Sequence, residues 1–148
     1  MSELTDSKSA ASALSGHCLC GAVRFTATPQ HMEMGVCHCS MCRRWTGGTF
    51  MSVECGQSVR VENTEQLGVY SSSAWGQRCF CKQCGSTLFW RTADGAMTMV
   101  AAQAFDDAGQ FAFTTEIFID EKPANFAFAN ATQKLTGAEV MAAFAPKN

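Results

Sequence analysis

Seven of the nine cysteines in this 148-residue chain fall into tight local groups, and this spacing constrains the fold more than any other feature. The groups are Cys18-Leu19-Cys20, Cys37-His38-Cys39-Ser40-Met41-Cys42 and Cys81-Lys82-Gln83-Cys84. Two cysteines separated by one residue in a strand are too close to form a good disulfide, but they can share one ion. The odd number of cysteines also favours metal over disulfides. The sequence therefore predicts a chain that folds around metal ions.

The seven clustered cysteines divide into four plus three. A structural zinc is bound by four protein ligands, whereas a working zinc keeps one position for water or substrate. The number of cysteines therefore predicts one closed site and one open site, although spacing alone does not establish which groups combine. In a strand, both sulfurs of a Cys-x-Cys unit would point to one face. Gly85 suits the left-handed position that closes a Cys-x-x-Cys turn.

The remaining cysteines and the histidines are expected to have supporting roles. Cys55 is interpreted as a packed thiol, because isolated cysteines are usually small buried hydrophobes. Cys79 lies two residues before Cys81, so it is either a bystander near the metal or a competing ligand. His38 should point away from the metal between its two cysteines, and it is expected to pack or to form a hydrogen bond. His17 is placed in the same way before Cys18, and His31 is expected in solvent.

Length, composition and charge indicate one globular domain without a nucleic-acid or membrane partner. The chain is 47% hydrophobic and 16% charged, with a formal net charge of -2, so it lacks a basic footprint for nucleic acid. Residues 1–14 are small and polar, without the pattern of an export signal, and are expected to form a flexible tail. Residues 15–148 are expected to form a single zinc-binding domain. A cytoplasmic location follows as an expectation from the metal interpretation.

Short alternating segments predict a mostly β domain. Asp94-Gly95 is expected to turn between two of its strands. One helix is predicted near the end, where Thr136 and Glu139 form a capping box and Pro146 stops the helix. Its Val140 and Phe144 face is expected to pack on the core. The predicted strands are residues 22–28, 49–54, 59–62, 67–71, 87–91, 97–101 and 116–119.

Three motifs, taken together and in this order, resemble the glutathione-dependent formaldehyde-activating enzyme family, which also includes centromere protein V. The resemblance covers about residues 16–128. Its segment Glu116–Pro123 is similar to the late strand and Lys-Pro turn of the family, although members often carry a histidine near Glu116. The motifs are His17-Cys18-Leu19-Cys20-Gly21-Ala22-Val23-Arg24-Phe25, Cys37-His38-Cys39-Ser40-Met41-Cys42-Arg43-Arg44 and Phe80-Cys81-Lys82-Gln83-Cys84-Gly85-Ser86.

The resemblance implies a β-tent of twisted antiparallel sheets stapled by two zinc ions per chain. It assigns Cys18, Cys20, Cys81 and Cys84 to the structural zinc. It assigns Cys37, Cys39 and Cys42 to a second zinc, which is the catalytic one. The implied activity is the reversible joining of formaldehyde and glutathione, which is carbon–sulfur lyase chemistry with a small-molecule thiol as partner.

Residues after the second group are candidates for substrate contact. Arg43 and Arg44 could hold the carboxylates of glutathione or another anionic thiol, or they could be a solvated pair. Trp45 could wall the site, although core packing is the commoner role of such a residue. His38 and Glu54 are the candidates for a general base. Three thiolates leave the zinc with a net charge of -1, so thiol exchange is favoured over water activation.

Two other function classes stay open from the sequence. A non-catalytic zinc adaptor would use the scaffold to bind a partner, although the short tail offers little for nucleic acid or microtubules. A redox or metal-buffer module would use Cys37, Cys39 and Cys42 as exchangeable thiolates. An assay with glutathione and formaldehyde, beside zinc release under mild oxidant, separates these classes.

Overall fold

A computed structural model of the protein describes residues 12–144, which form two β-sheets with two α-helices. Most of the expected tail and Pro146 lie outside the described residues. The strands are β1 (Leu14–His17), β2 (Arg24–Ala27), β3 (Glu33–Cys37), β4 (Phe50–Glu54), β5 (Arg60–Val61), β6 (Leu67–Ser71), β7 (Gly76–Cys81), β8 (Thr87–Thr92), β9 (Thr98–Ala101), β10 (Ala112–Ile117) and β11 (Gln133–Leu135). The helices are α1 (Ser40–Thr46) and α2 (Gly137–Phe144).

The smaller sheet has the order β1-β2-β5, and the larger has the order β11-β10-β3-β4-β9-β8-β7-β6. Most neighbouring strands are antiparallel, as expected. At one end, however, β10 runs parallel to both β3 and β11. A parallel pair needs a long connection between its strands, and the pairing of β3 with β10 joins segments about 80 residues apart. The mostly β fold class and the twisted-sheet architecture are confirmed.

The main core lies between the two sheets. On one face of the large sheet, paired residues of β4, β9 and β8 are fully buried, namely Val53, Val100 and Phe89. Phe25 of β2 meets Phe89 edge to face, with 5.2 Å between ring centroids, and so connects the sheets. Side chains alternate across a strand, so the residues between these core positions point to the opposite face. That opposite face carries the site described below, and we call it the site face.

Several predicted elements are confirmed with small shifts at their ends. Gly95 adopts φ 77° in the turn between β8 and β9, as the Asp94-Gly95 pair predicts. The capping box of α2 is present: the Thr136 N–H donates to the Glu139 carboxylate at 2.7 Å, and the Glu139 N–H donates to Thr136 Oγ1 at 3.1 Å.

Two sequence expectations about the later part of the chain are wrong. Val140 is buried, but Phe144 is 62% exposed, so only one of the two residues packs on the core. The late strand covers residues 112–117 rather than 116–119, because Phe118 adopts a left-handed conformation with φ 55°. The chain then enters a 3-10 turn at Ile119–Glu121.

Candidate metal centres and active site

Four cysteine sulfurs from two distant segments meet at one end of the molecule. The ligand atoms of this group lie within 4.8 Å of one another. Cys18 Sγ is 3.7 Å from Cys20 Sγ, which is 3.8 Å from Cys81 Sγ. Four thiol sulfurs at this spacing fit a closed tetrahedral metal site. We call Cys18, Cys20, Cys81 and Cys84 the four-sulfur group.

Two tight turns hold the four-sulfur group. The first turn follows β1 and places the Cys18 N–H on the Val23 carbonyl at 3.0 Å. The second turn follows β7, and Gly85 closes it with φ 81°, as the sequence predicts. Cys18 and Cys20 therefore lie in a turn and not in a strand, so the expected strand alternation is not what brings them together.

Backbone and side-chain donors surround these sulfurs. The Val23 N–H donates to Cys18 Sγ at 3.3 Å, and the amides of Gln83 and Cys84 donate to Cys81 Sγ at 3.3 and 3.4 Å. Hydrogen bonding to Ser86 lowers the pKa of Cys84 to about 5. Donors of this kind stabilise thiolates, which are the form that binds metal.

Three more sulfurs gather where β3 meets α1. Cys37 ends β3, Cys39 is the N-cap of α1 and Cys42 lies in the first turn of α1, and their sulfurs lie within 4.8 Å of one another. The Cys42 N–H donates to Cys39 Sγ at 3.4 Å, so the sulfur takes the place of a capping oxygen. Only Cys37 is in a strand, which corrects the expected Cys37-x-Cys39 strand pair. We call Cys37, Cys39 and Cys42 the three-sulfur group.

The three-sulfur group holds negative charge unevenly. Hydrogen bonds from the thiols of Cys37 and Cys42 lower the pKa of Cys39 to about 2. The same interaction with Cys39 raises the pKa of Cys37. Three convergent sulfurs fit a metal ion that keeps one ligand position for another molecule. Both groups could hold a metal ion, and they contain the same residues that the resemblance assigns to two zinc ions.

A buried arginine that the sequence analysis missed reaches the three-sulfur group from β7. Arg78 is 6% exposed and donates from Nη1 to Cys42 Sγ at 3.4 Å. Its guanidinium lies over the ring of Trp45, 4.9 Å from the centroid. Arg78 lies only three residues before Cys81, but a ladder register could not be inferred from the sequence, so no signal connected it with Cys42.

Arg43 and Arg44 are less closely tied to the sulfurs. Arg44 is exposed, whereas Arg43 is half-buried with its Nε lacking a hydrogen-bond partner in the structure. Both lie in the last turn of α1. Trp45 packs against Phe50 with 5.0 Å between ring centroids and is half-buried. Trp45 therefore packs against Phe50, as a core residue would, and its ring also contacts Arg78 beside the three-sulfur group.

His38 is buried behind the cysteines and does not belong to either sulfur group. Its Nε2 lies 2.8 Å from Glu116 Oε1, and both side chains are at most 1% exposed. Thr132 donates to the other oxygen of Glu116 at 2.6 Å. Burial opposes ionisation of Glu116, but the bonds from Thr132 and His38 outweigh it and lower its pKa. The expected hydrogen-bonding role of His38 agrees with this geometry, and its burial removes it as a base open to substrate.

A cavity of about 260 Å³ lies on the site face beside Cys37. Gly35 and Ser52 pair across β3 and β4, and Glu54 lies two residues beyond Ser52 on the same face. Glu54 lies four residue steps along β4 from Phe50, the partner of Cys37, which corresponds to about 13 Å. Glu54 is therefore at the far end of the cavity from the sulfurs, which does not suit a general base at that group.

The other cysteines are buried in the main core. Cys55 and Cys79 are both 0% exposed. Burial raises the pKa of both thiols, to about 12 for Cys55. Cys79 lies outside the four-sulfur group, so it is a packed bystander. His31 is exposed, as expected, and His17 accepts or donates no bond to a sulfur but lies 2.7 Å from the Cys18 carbonyl through Nδ1.

Comparisons with known proteins identify similar chains. The sequence profile of a family described as glutathione-dependent formaldehyde-activating enzyme matches residues 13–121. An uncharacterized lyase of Schizosaccharomyces pombe is 36% identical over 127 residues, which are 85% of this chain and 93% of that protein. A Halomonas elongata protein provisionally named glutathione-dependent formaldehyde-activating enzyme is 32% identical over 85 residues, 51% of this chain and 54% of that protein.

A solved structure has the same fold. The crystal structure of a Rhodobacter sphaeroides protein superposes with a TM-score of 0.56 at 23% sequence identity. The match covers 68% of this chain and 100% of that one. None of the helices in the described part of this chain is long and apolar enough to cross a bilayer.

Proposed function

We propose that this chain, which belongs to the glutathione-dependent formaldehyde-activating enzyme family, is a zinc-dependent carbon–sulfur lyase that acts on thiol adducts of formaldehyde. The observation that carries the proposal is the three-sulfur group, placed beside an open cavity. The name of one relative supports lyase chemistry, and the name of another supports glutathione and formaldehyde as reactants. We place the protein in the cytoplasm, where its free cysteines stay reduced.

The donor sets fit zinc. Thiolates are soft ligands that select zinc, copper(I) or iron–sulfur clusters over magnesium or calcium. Cys18, Cys20, Cys81 and Cys84 would hold a structural ion, and Cys37, Cys39 and Cys42 would hold a working ion with one free ligand position. When bound there, zinc would stabilise a thiolate at neutral pH.

The reaction makes one main demand on the protein, because the departing group is a sulfur anion. As S-hydroxymethylglutathione breaks down, the carbon–sulfur bond breaks and the sulfur keeps the electron pair. The hydroxyl proton leaves, and the carbon–oxygen double bond of formaldehyde forms. The site face holds the substrate sulfur beside Cys37, and the proton passes to solvent in the open cavity.

The residues that line the cavity favour an extended thiol substrate with an ammonium group. Its end farthest from the sulfurs carries Glu33 and Glu54, and no Lys or Arg is among the described residues that line it. Two carboxylates attract an ammonium group and repel a carboxylate. Glutathione has both kinds of group, so we place its ammonium at this end. Arg43 and Arg44 remain the candidates for its glycyl carboxylate, because the other carboxylate shares a carbon with the ammonium group.

The proposal is tested by adduct exchange. NMR exchange spectroscopy with glutathione and formaldehyde should show S-hydroxymethylglutathione forming and breaking down faster with the zinc-loaded protein than without it. The Cys39→Ser variant should remove this acceleration, and Cys55→Ser is the matched control because Cys55 is a buried cysteine that belongs to neither group. Equal exchange with and without the protein would contradict the lyase. Zinc release under mild oxidant without any acceleration would favour the metal-buffer function instead.

A further inference from the structure

Arg78 is a buried cation whose side chain donates to a cysteine sulfur. Within residues 12–144, none of the observed ion pairs includes Arg78, and its guanidinium is instead bonded to Cys42 Sγ and Ser72 Oγ. Burying a charge without a counter-charge is costly, so a buried arginine requires a negative neighbour. Cys42 Sγ, which accepts from Arg78, would become that neighbour when Cys42 binds a metal as a thiolate.

The position of Arg78 is fixed from three directions. Nε donates to Ser72 Oγ at 3.0 Å, the guanidinium plane lies over Trp45, and Nη1 reaches Cys42. Pairing across β7 and β8 sets Arg78 opposite Trp90, which packs with the residues around the three-sulfur group. A rigid planar cation held this way loses little conformational entropy when it bonds a sulfur.

The charge of Arg78 bears on what the three-sulfur group can accept. Three thiolates around a divalent ion carry a net charge of -1, and a thiolate entering the free position would bring the total to -2. The positive charge of Arg78 changes these totals to 0 and -1. Arg78 lies in a largely desolvated environment, where Coulomb interactions are strong. A neutral incoming ligand would gain much less from that cation.

We propose that Arg78 is the counter-charge that allows the three-sulfur group to hold its metal and to accept an anionic sulfur ligand in preference to a neutral one. Arg78 acts through Cys42 and through the local field, so it is a positioning residue. The second half of this inference rests on the proposed function, because it assumes an exogenous thiolate at the free position.

The test uses the full-length protein loaded with cobalt(II), in which exogenous ligands change the visible absorption of the metal. 2-Mercaptoethanol, which loses its proton and binds a metal as the thiolate, is titrated as the anionic probe, and imidazole is titrated as the neutral one. Metal retention is measured against a chromogenic chelator. The variants are Arg78→Gln, Arg78→Lys and the control Arg91→Gln. Arg91 is half-buried on β8 and donates to Gln77 Oε1, so it is an arginine of the same sheet with a side-chain partner outside the two sulfur groups.

Arg78→Gln should weaken 2-mercaptoethanol binding and metal retention by about 10- to 100-fold, the range for residues that support metal ligands. Imidazole binding should change by less than about threefold. Arg78→Lys should recover part of the thiol affinity, since it keeps the charge, and Arg91→Gln should behave as the wild type. Equal losses for both probes, or no loss for either, would overturn the inference.

The inference and the proposed function fail in different ways. If the wild-type protein binds no thiol at its cobalt centre, the proposed function fails, while metal retention in Arg78→Gln still tests the support of Cys42. If the wild type binds thiol and Arg78→Gln binds it equally well, only the inference fails. Circular dichroism shows whether each variant is folded. If Arg78→Gln is unfolded, the test compares Arg78→Lys with the control Arg91→Gln. A partial loss in Arg78→Lys that is larger for 2-mercaptoethanol than for imidazole then supports the inference, and equal losses for both probes, or no loss for either, overturn it.

Discussion

Three of the clustered sulfurs accept hydrogen bonds from backbone amides, and these bonds show how single residues prepare the chain for metal. Cys18, Cys39 and Cys81 each accept at least one such bond at 3.3–3.4 Å. An amide dipole aimed at a sulfur offsets part of its charge before any metal binds. The acceptors occur in both groups, so each group has sulfurs prepared as anions.

Serine substitutions in the two groups are expected to separate stability from site chemistry. Cys81→Ser should lower the melting temperature by about 10 °C or more, since a structural zinc contributes folding free energy. Cys39→Ser should lower it by less than about 5 °C, because serine is itself a good N-cap for α1. Calorimetry together with metal analysis measures both effects. Similar losses of melting temperature in the two variants would contradict this division of roles.

The structural role of a residue could be predicted from the sequence where a local pattern defines that role. Gly85 and the partners Thr136 and Glu139 are confirmed, because a turn or a cap depends on a few neighbours. Arg78 was not predictable, since its role depends on a contact with Cys42 across 36 residues. Glu116 was noticed only as a departure from a family pattern, and its bond to His38 spans 78 residues.

Among the elements, α1 is the one on which the candidate active site depends most. It begins at the Cys39 cap and ends at Gly47, which adopts φ 77° and donates its N–H to the Arg43 carbonyl at 2.8 Å. Seven residues give too few turns for a clear apolar period, so the sequence pattern did not predict this helix. The Cys37-x-Cys39 spacing predicts a strand, whereas Cys39 is the N-cap of α1.

The end of α1 can be tested with two adjacent glycines. Gly47→Ala should destabilise the protein by about 1 kcal/mol, because a left-handed conformation is unfavourable for a residue with a Cβ. Gly48→Ala is the matched control, since it lacks a positive φ and, like Gly47, has nothing within 4 Å of a built Cβ. Urea denaturation of both variants gives the difference. Equal free energies of unfolding would show that the left-handed cap does not determine this helix end.

Strands were predictable where apolar and polar residues alternate along them. The segments around β4, β6, β8 and β9 are close to the structure, whereas β3 and β7 were not predicted. Both strands end in cysteines of the sulfur groups, and these cysteines interrupt the alternation of apolar and polar residues that indicates a strand. The parallel position of β10 also required knowledge of distant pairing, which an apolar pattern does not contain.

On the scale of the whole molecule, the two sulfur groups lie on structures of different extent. The four-sulfur group joins the turn after β1 of the small sheet to the turn after β7 of the large sheet. The three-sulfur group lies within one short segment at the end of β3 and the start of α1. The loss of one ion should therefore affect the global fold far more than the loss of the other.

Stepwise chelation is expected to remove the two metals at different stages. A protein with both sites filled should contain about two zinc ions per chain. The three-sulfur metal should leave first with little change in the far-ultraviolet circular dichroism, because its fourth ligand is not a protein group. The second metal should leave together with unfolding. Metal release and ellipticity recorded in one titration check the order, and a single concerted loss would contradict it.

The positions of the cysteines along the chain also determine which sulfur group is completed first during synthesis. Cys37, Cys39 and Cys42 lie within six consecutive residues, whereas the four-sulfur group is incomplete until Cys84 has been added. A nascent chain emerges from its N-terminus onward. The three-sulfur group is therefore complete as a set of thiols before the residues that close the fold have been made, so a metal ion or an oxidant can reach it from that point onward.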